Sequence, residues 1–201
     1  MSNIFYQNYI VNREQRNKQN SHGSFLILFT GLSGAGKSTI AAALDKALHD
    51  RGIRTYALDG DNIRLGISQD LNFNKQDREE NLRRVGEITK LFIDACLVTL
   101  AAFVAPSDKS RNIIKSIVGV ENYIEVFVST PIEVCEKRDA KGLYAKARAG
   151  EIANFTGVSA PYEKRKNPDL NIDCSEKKIE TAVTEIMKYV NDKIKLSNDG
   201  C

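Results

Sequence analysis

The 201-residue sequence predicts an α/β fold of three layers, in which helices cover both faces of a central parallel five-stranded sheet. Three observations support this prediction. Short apolar runs alternate along the chain with segments of helical spacing. A glycine-rich turn follows the first apolar run, where a strand gives way to a helix. Hydrophobic residues make up 42% and charged residues 27% of the chain, as is typical of a globular domain.

The first elements follow from local patterns. Residues 1–23 are polar, and we interpret them as an N-terminal arm that is in part helical, ahead of a main domain over residues 24–201. FLILFT predicts a buried first strand at Phe25–Thr30. A helix is expected over Lys37–Asp50, closed by Gly52, and a second strand over Ile53–Asp59.

The second half of the chain continues the alternation. Apolar residues at helical spacing predict a helix over Asp77–Cys96, and a C-terminal helix is expected over about residues 176–194. Three further strands are predicted at Leu97–Pro106, Tyr123–Thr130 and Asp169–Cys174. Between the last two strands the pattern breaks. Segments of that length are usually functional lids or disordered, and we interpret this one as a lid over about residues 139–168.

Composition excludes several classes of protein. The formal net charge of +3 comes from 29 basic and 26 acidic residues, which is too weak to indicate a nucleic-acid partner. No apolar run is long enough to span a membrane, and the N-terminus lacks the order of a signal peptide. Four scattered cysteines form no C-x-x-C pair, so reduced thiols in a cytosolic protein are expected, although a spatial disulfide stays open: Cys96, Cys135, Cys174 and Cys201.

The stretch GLSGAGKST fits the phosphate-loop pattern G-x-x-x-x-G-K-[ST] and lies between a predicted strand and a predicted helix. Its glycines let successive N–H groups face an anion at the helix N-terminus. Lys37 is expected to reach the β- and γ-phosphates of ATP, and Ser38 to bind Mg²⁺. The alternative is a turn that only caps the helix. The predicted fold is therefore a P-loop NTPase, with this ATP-binding set: Gly31, Leu32, Ser33, Gly34, Ala35, Gly36, Lys37, Ser38 and Thr39.

A phosphate loop alone does not define a reaction. A GTPase would be expected to carry an N-K-x-D motif for reading the base, and the sequence has none. The chain length, the sheet pattern and a basic lid favour a kinase of a small acceptor. The basic residues of the lid region are Lys137, Arg138, Lys141, Lys146 and Arg148.

Two carboxylates end the second strand, where parallel sheets bind ligands. Asp59 or Asp61 is suited to accept a proton from an acceptor hydroxyl, or to hold Mg²⁺ through water. Arg64 is suited to pair with an anionic acceptor. The alternative is that Asp61 caps a short helix beginning at Asn62.

Three further residues are candidates for the acceptor site. Phe73 lies in a polar stretch, where an aromatic ring can stack on a base, although isolated surface Phe residues are common. Arg78 and Asn81 are three residues apart on a predicted helix and share one face. The alternative is that this face is only solvated.

These motifs together resemble the adenylylsulfate (APS) kinase family. The matching segments, in family order over about residues 22–174, are FTGLSGAGKST, YALDGDNIR, LNFNKQDREENLRRVGEITKLF, EVFVSTPIEVCEKRDAKGLYAKARAGEIANFTG and APYE. DGDN, RDAKGLY and NFTG are more specific than the phosphate loop. The resemblance implies phosphorylation of the ribose 3′-hydroxyl of APS by ATP, which gives 3′-phosphoadenylylsulfate (PAPS).

The resemblance also implies residue roles. Asp61 is the expected base, with Lys37 as the second catalytic residue. Arg64, Arg78 and Asn81 are expected to bind APS. The other implied roles are an adenine sandwich by Phe73 and Phe155, a lid containing Lys141, Leu143 and Tyr144, and an ATP contact from Arg148. The family is usually homodimeric, and a functional link to ATP sulfurylase is expected.

The sequence departs from the family pattern after the third strand. Ala105 stands where some members carry a serine described as a phosphoserine, so a covalent phosphoenzyme is excluded at this position and direct transfer is expected. Asp108 stands where the family favours Arg, and Leu65 replaces a usual His. Residues 164–166, Lys-Arg-Lys, replace a less charged stretch and are interpreted as solvated surface.

Two alternative functions stay open. Asp108 and the altered loop at residues 104–111 motivate a sister kinase that acts on another nucleotide acceptor, such as a CDP-linked one. The second alternative is a non-catalytic nucleotide-binding regulatory domain. Such a domain is expected to have lost phosphate-loop residues, whereas Lys37, Ser38 and Asp61 are all present.

Overall fold

The computed structural model describes residues 3–195, in which the chain forms eight α-helices and five β-strands. The helices are α1 (Arg13–Asn20), α2 (Lys37–His49), α3 (Gly60–Leu65), α4 (Lys75–Asp94), α5 (Asp108–Val118), α6 (Ile132–Arg138), α7 (Leu143–Arg148) and α8 (Ile179–Ile194). The strands are β1 (Leu26–Thr30), β2 (Thr55–Asp59), β3 (Val98–Ala102), β4 (Tyr123–Val128) and β5 (Leu170–Ile172).

All strand pairs of the sheet are parallel, in the order β2-β3-β1-β4-β5. Strand β1 lies in the centre, with Leu26 opposite Thr99 of β3 and Tyr123 of β4. The chain leaves β1 between two neighbours that come from later in the sequence, which is where open parallel sheets form a ligand crevice. The predicted five-stranded parallel fold is confirmed, and the phosphate loop opens onto that crevice.

Two apolar cores cover the two faces of the sheet. Ile27 and Phe29 of β1 point to the core formed with α2 and α8, whereas Leu26 and Leu28 point to the core formed with α4 and α5. All five residues of β1 are buried, which explains why this strand reads as a continuous apolar run. The arrangement gives the three predicted layers.

Several element boundaries differ from prediction for local reasons. Helix α4 begins at Lys75 instead of Asp77, because the side chain of Asn74 accepts a hydrogen bond from the backbone N–H of Asp77 and caps the helix. Strand β3 ends at Ala102, so residues 103–107 form a loop. Helix α5 was not predicted; Ser107 caps it by accepting a hydrogen bond from the N–H of Ser110.

The arm and the lid both contain helices. Helix α1 begins with a capping box between Asn12 and Gln15, and Arg13 ties it to Ser24 and Asn122. Helix α7 and a series of turns occupy residues 139–160 of the predicted lid, and the name lid is kept below for these residues; residues 161–168 are called the segment after the lid. Among residues 3–195, no helix combines the length and apolar character needed to cross a bilayer. The three described cysteines are buried free thiols, and Cys201 lies outside the described residues.

Candidate active site

The phosphate loop requires glycine at two close approaches. Gly31 has φ of 140°, and a Cβ atom there would lie 2.5 Å from the carbonyl oxygen of Val128. Gly34 has φ of 75°, and a Cβ atom would lie 3.0 Å from the carbonyl oxygen of Cys135. The loop then enters the 13-residue helix α2 at Lys37. The curled backbone therefore directs free N–H groups of the helix start toward an anion.

Lys37 is buried beside the loop. Its Nζ donates a hydrogen bond to the carbonyl oxygen of Leu32 at 2.7 Å. Burial lowers the pKa of Lys37 from 10.5 to about 8, because the charged ammonium is largely removed from water. A lysine without a strong anionic partner in such a position is suited to bind phosphate oxygens.

A chain of hydrogen bonds joins α2 to the end of β2. The hydroxyl of Ser38 donates to Oδ2 of Asp59 at 2.5 Å, and Oδ1 of Asp59 accepts from the backbone N–H of Asp61 at 3.0 Å. Asp59, not Asp61, is therefore the N-cap of α3, which begins at Gly60. The alternative in which Asp61 caps a helix beginning at Asn62 is wrong, and the carboxylate of Asp61 has no capping role.

The carboxylate of Asp61 meets the lid. Lys141 donates a hydrogen bond from Nζ to Oδ2 of Asp61, and both side chains are mostly exposed. This hydrogen bond raises the pKa of Lys141. The lid lysine thus lies at the carboxylate predicted to act as the base.

Two arginines and an aromatic ring form the acceptor side. The guanidinium of Arg64 lies 4.3 Å from the ring centroid of Phe73, whose ring keeps most of its exposure. Arg78 donates to the carbonyl oxygen of Phe73 at 2.7 Å. Arg78 also donates to the lid, at the carbonyl oxygen of Asn154 and the hydroxyl of Thr156. The structure therefore brings Arg64, Phe73 and Arg78 together and connects them to the lid through Arg78.

Asn81 has an unused acceptor. The residue is 4% exposed, and its Oδ1 has no hydrogen-bond partner among the described residues. Buried polar atoms are nearly always satisfied in native proteins, so a free oxygen in this position is suited to a ligand or water.

The lid contacts the phosphate loop through aromatic rings. The ring of Phe155 packs edge-on against Tyr144, with 5.0 Å between centroids and 81° between planes. The hydroxyl of Tyr144 donates to the carbonyl oxygen of Ser33 at 2.9 Å. Leu143 begins α7 immediately before Tyr144. The structure does not bring Phe155 and Phe73 into contact.

Two arginines of the lid region have different positions. Arg148 pairs with Glu136 of α6 through two hydrogen bonds, at 2.9 and 3.1 Å, and does not contact the phosphate loop. Arg138 instead donates to the carbonyl oxygens of Gly34 and Cys174. The resemblance implied an ATP contact for Arg148, whereas the sequence marked Arg138 only as a basic residue; the structure places Arg138, and not Arg148, at the phosphate loop.

The loop after β3 and the segment after the lid are joined. Ala105 has a left-handed φ of 38° and is buried, and its carbonyl oxygen accepts from Arg111 at 2.9 Å. The prediction that residues 164–166 are solvated surface is wrong for Arg165, because its side chain forms an ion pair with the buried Glu125 at 3.0 Å. Lys164 and Lys166 are exposed.

A glycine-rich phosphate loop after the central strand of a parallel sheet, with Arg138 and Lys141 hydrogen-bonded beside it, defines a P-loop kinase. The family model described as adenylylsulphate kinase matches residues 23–173. The adenylyl-sulfate kinase of Shewanella pealeana is 51% identical over 190 residues, which cover 94% of this chain and 93% of that protein. The chain therefore belongs to the adenylylsulphate kinase family.

Solved structures agree with this assignment. The APS kinase of Mycobacterium tuberculosis, solved in complex with AMPPNP and APS, has a TM-score of 0.81 and 40% identity, covering 85% of this chain and 98% of its own. A gluconokinase from Sinorhizobium meliloti has a TM-score of 0.55 at 18% identity, covering 85% of this chain and 92% of its own. The second likeness concerns the fold alone.

Proposed function

We propose that the chain transfers the γ-phosphoryl group of ATP to the ribose 3′-hydroxyl of adenylyl sulfate, giving ADP and 3′-phosphoadenylyl sulfate. Membership of the adenylylsulphate kinase family and the likeness to a kinase solved with AMPPNP and APS support this proposal. The observation that carries it is the chain Ser38–Asp59–Asp61, which joins the phosphate-loop helix to a carboxylate at the acceptor side.

The donor phosphates lie, in this proposal, over residues 31–39. Backbone N–H groups at the start of α2 bind phosphate oxygens, and Lys37 leaves the carbonyl of Leu32 to bridge the β- and γ-phosphates. Arg148 requires an exchange of partner to reach ATP, because Glu136 holds its guanidinium.

The donor set at Ser38 fits Mg²⁺. The Ser38 hydroxyl and the Asp59 carboxylate are hard oxygen ligands that already lie within 2.5 Å of each other. Among the described residues no group of three or more His, Cys, Asp or Glu side chains could hold a metal ion, and Mg²⁺ commonly takes one or two protein oxygens beside phosphates and water. When bound, the ion neutralises charge on the transferred phosphoryl group.

Adenylyl sulfate occupies the opposite side of the crevice in this proposal. Arg64 and Arg78 pair with its anionic groups, and Asn81 offers the free Oδ1 to a donor. The adenine lies between Phe73 and Phe155, which requires the Arg64 guanidinium to shift from the ring of Phe73 or to remain on its other face. Leu143 adds apolar contact at the lid.

Asp61 accepts the proton of the 3′-hydroxyl. Lys141 must exchange the Asp61 carboxylate for phosphate oxygens, which frees the base and places positive charge near the transferring group. The phosphoryl group passes directly between the substrates, because Ala105 has no hydroxyl to accept it. Closure of the lid excludes water, the competing acceptor.

A kinase with a different nucleotide acceptor, such as a CDP-linked one, is the second candidate. Asp108 motivates it, because this carboxylate stands at the start of α5 in the altered loop and binds the side chains of Arg111 and Arg165. The deciding experiment is a coupled ADP-release assay with APS, CDP-linked acceptors and no acceptor, with Lys37→Ala as the blank. Turnover with APS but not with the CDP-linked acceptors supports the first proposal. Absence of turnover with APS contradicts it.

We also propose a homodimer, with residues 1–23 as an arm on the main domain of residues 24–201. Several large apolar side chains of the arm are more than 80% exposed, which is unusual for a monomer: Phe5, Tyr6, Tyr9 and Ile10. A mass twice that of the 22.4 kDa chain in light scattering is the expected result. A functional link to ATP sulfurylase would supply the acceptor.

A further inference from the structure

Two arginines and two carboxylates form a cluster behind the loop that follows β3. Glu125 is 1% exposed in the middle of β4, and Arg111 is 2% exposed in α5. The Nε atom of Arg165 lies 3.0 Å from Oε2 of Glu125, and the Nε atom of Arg111 lies 3.6 Å from Oε1. Oδ1 of Asp108 accepts hydrogen bonds from Arg111 at 2.7 Å and from Arg165 at 3.2 Å.

Arg165 is the closer of the two arginines that form ion pairs with the buried carboxylate of Glu125. A buried carboxylate is costly unless it is paired, and Arg165 makes the shorter of the two ion pairs with Glu125. The other Arg111 donors are already occupied by the carbonyl oxygens of Ala105 and Glu163 and by Asp108.

The cluster fixes the segment that follows the lid. The backbone N–H of Glu163 donates to the carbonyl oxygen of Pro106 at 2.8 Å, and a carboxylate oxygen of Glu163 accepts from the N–H of Asp108 at 2.8 Å. The ring of Tyr162 stacks on Phe127 of β4, with centroids 5.9 Å apart and 13° between planes. These three contacts of Tyr162 and Glu163, together with the ion pairs of Arg165, hold residues 162–165 against the sheet and the loop after β3.

The turn that carries Phe155 lies immediately before this segment. The carbonyl oxygen of Phe155 accepts from the N–H groups of Val158, Ser159 and Ala160, so residues 155–160 form one compact unit. Arg78 holds the start of that unit through Asn154 and Thr156. Its end, at Ala160, is five residues from Arg165, with Tyr162 and Glu163 in contact with the sheet and the loop after β3 between them.

We propose that Arg165 is a positioning residue for the acceptor: between Glu125 and Asp108 it holds the segment after the lid against the loop after β3, and so fixes the turn that carries Phe155. The proposal rests on the proposed function, in which Phe155 contacts the adenine of the acceptor. Arg165 acts through that turn and not on the transferred phosphoryl group.

The kinetic test compares three alanine variants that each remove one positive charge. Arg165→Ala is expected to raise KM for adenylyl sulfate roughly tenfold while KM for ATP stays within about twofold, because only the acceptor side loses its positioning. Lys164→Ala and Lys166→Ala, which change exposed neighbours, are expected to match the wild type. Arg165→Lys should restore part of the loss. Equal KM values for the three alanine variants, or equal rises in both KM values for Arg165→Ala, would overturn the proposal.

A second measurement does not depend on activity. Backbone amide exchange of residues 155–163 in the free protein is expected to be faster in Arg165→Ala than in Lys164→Ala, with exchange in α2 unchanged. Equal exchange in the two variants would contradict the positioning role of Arg165. Absence of turnover by the wild type would contradict the proposed function instead, so the two failures are distinguishable.

Discussion

At the residue scale, Asp59 and Asp61 stand two positions apart but have different surroundings. Both oxygens of Asp59 accept hydrogen bonds, one from Ser38 and one from the backbone of α3. The Asp61 carboxylate is exposed and meets only the lid lysine among the contacts described. Because a carboxylate that caps a helix and orients a phosphate-loop serine is poorly placed to move, Asp61 is the better candidate for proton transfer.

The substitution Asp61→Asn tests that assignment. The backbone N–H of residue 61 keeps its bond to Asp59, so α3 and ATP binding are expected to be retained. Loss of a general base is expected to lower kcat by about 10²- to 10⁴-fold. Steady-state kinetics with APS, together with calorimetric titration of ATP, measures both quantities. A kcat near the wild-type value would exclude Asp61 as the base.

The lowered pKa of Lys37 predicts proton uptake when ATP binds. Burial favours the neutral amine, so above a pH of about 8 most of the free protein has lost this proton. A bound triphosphate favours the ammonium and raises the pKa again. At pH 8.5 binding should therefore take up a fraction of a proton, and ATP affinity should fall as the pH rises further.

Calorimetry in two buffers of different ionisation enthalpy measures this uptake. Lys37→Arg is the matched control, because a guanidinium stays charged throughout this range and should take up no proton at residue 37. A binding enthalpy at pH 8.5 that is independent of buffer in the wild type would contradict the prediction.

At the element scale, Lys141 joins the lid to the carboxylate of Asp61, whereas Lys146 of the same lid makes no such contact among the described residues. Lys146 lies exposed on α7, five residues later. Lys141→Ala is expected to lower kcat by about 100-fold, because it removes a positive charge aimed at the transferring group. Lys146→Ala makes the same change of charge and should stay within about twofold of the wild type. Equal effects on kcat would mean that the lid acts only through its overall charge.

The sequence predicts those features well that depend on residue types close together in the chain. It predicts those features poorly that depend on partners far away in the chain. The phosphate loop was found because its glycines and Lys37 are local requirements. Helix α5 was missed, since its cap at Ser107 and its buried Ile114 and Val118 lie in a short polar stretch. The sequence does not predict the ion pair of Arg165, because its partner Glu125 lies 40 positions earlier in a buried strand and no pattern links the two.

At the scale of the whole molecule, the site is assembled from both halves of the chain around the end of β1. The phosphate loop and the carboxylates come from residues 31–61, whereas the lid and Arg138 come from residues 132–160. The order β2-β3-β1-β4-β5 places the acceptor elements on one side of the phosphate loop and the lid helices on the other. Ligands in the crevice should therefore add contacts between these segments, beside the hydrogen bonds Lys141–Asp61 and Arg138–Gly34.

This arrangement predicts strong stabilisation of the whole domain by ATP with Mg²⁺. Ligand at about 100 times its Kd adds about 2.7 kcal/mol to the free energy of unfolding. For a chain of this size about 1 kcal/mol raises Tm by about 2–4 °C, so a rise of roughly 5–10 °C is expected in a thermal scan. Lys37→Ala at the same nucleotide concentration should show little rise, because it lacks the phosphate contact. An equal rise in both proteins would indicate that the nucleotide binds away from the phosphate loop.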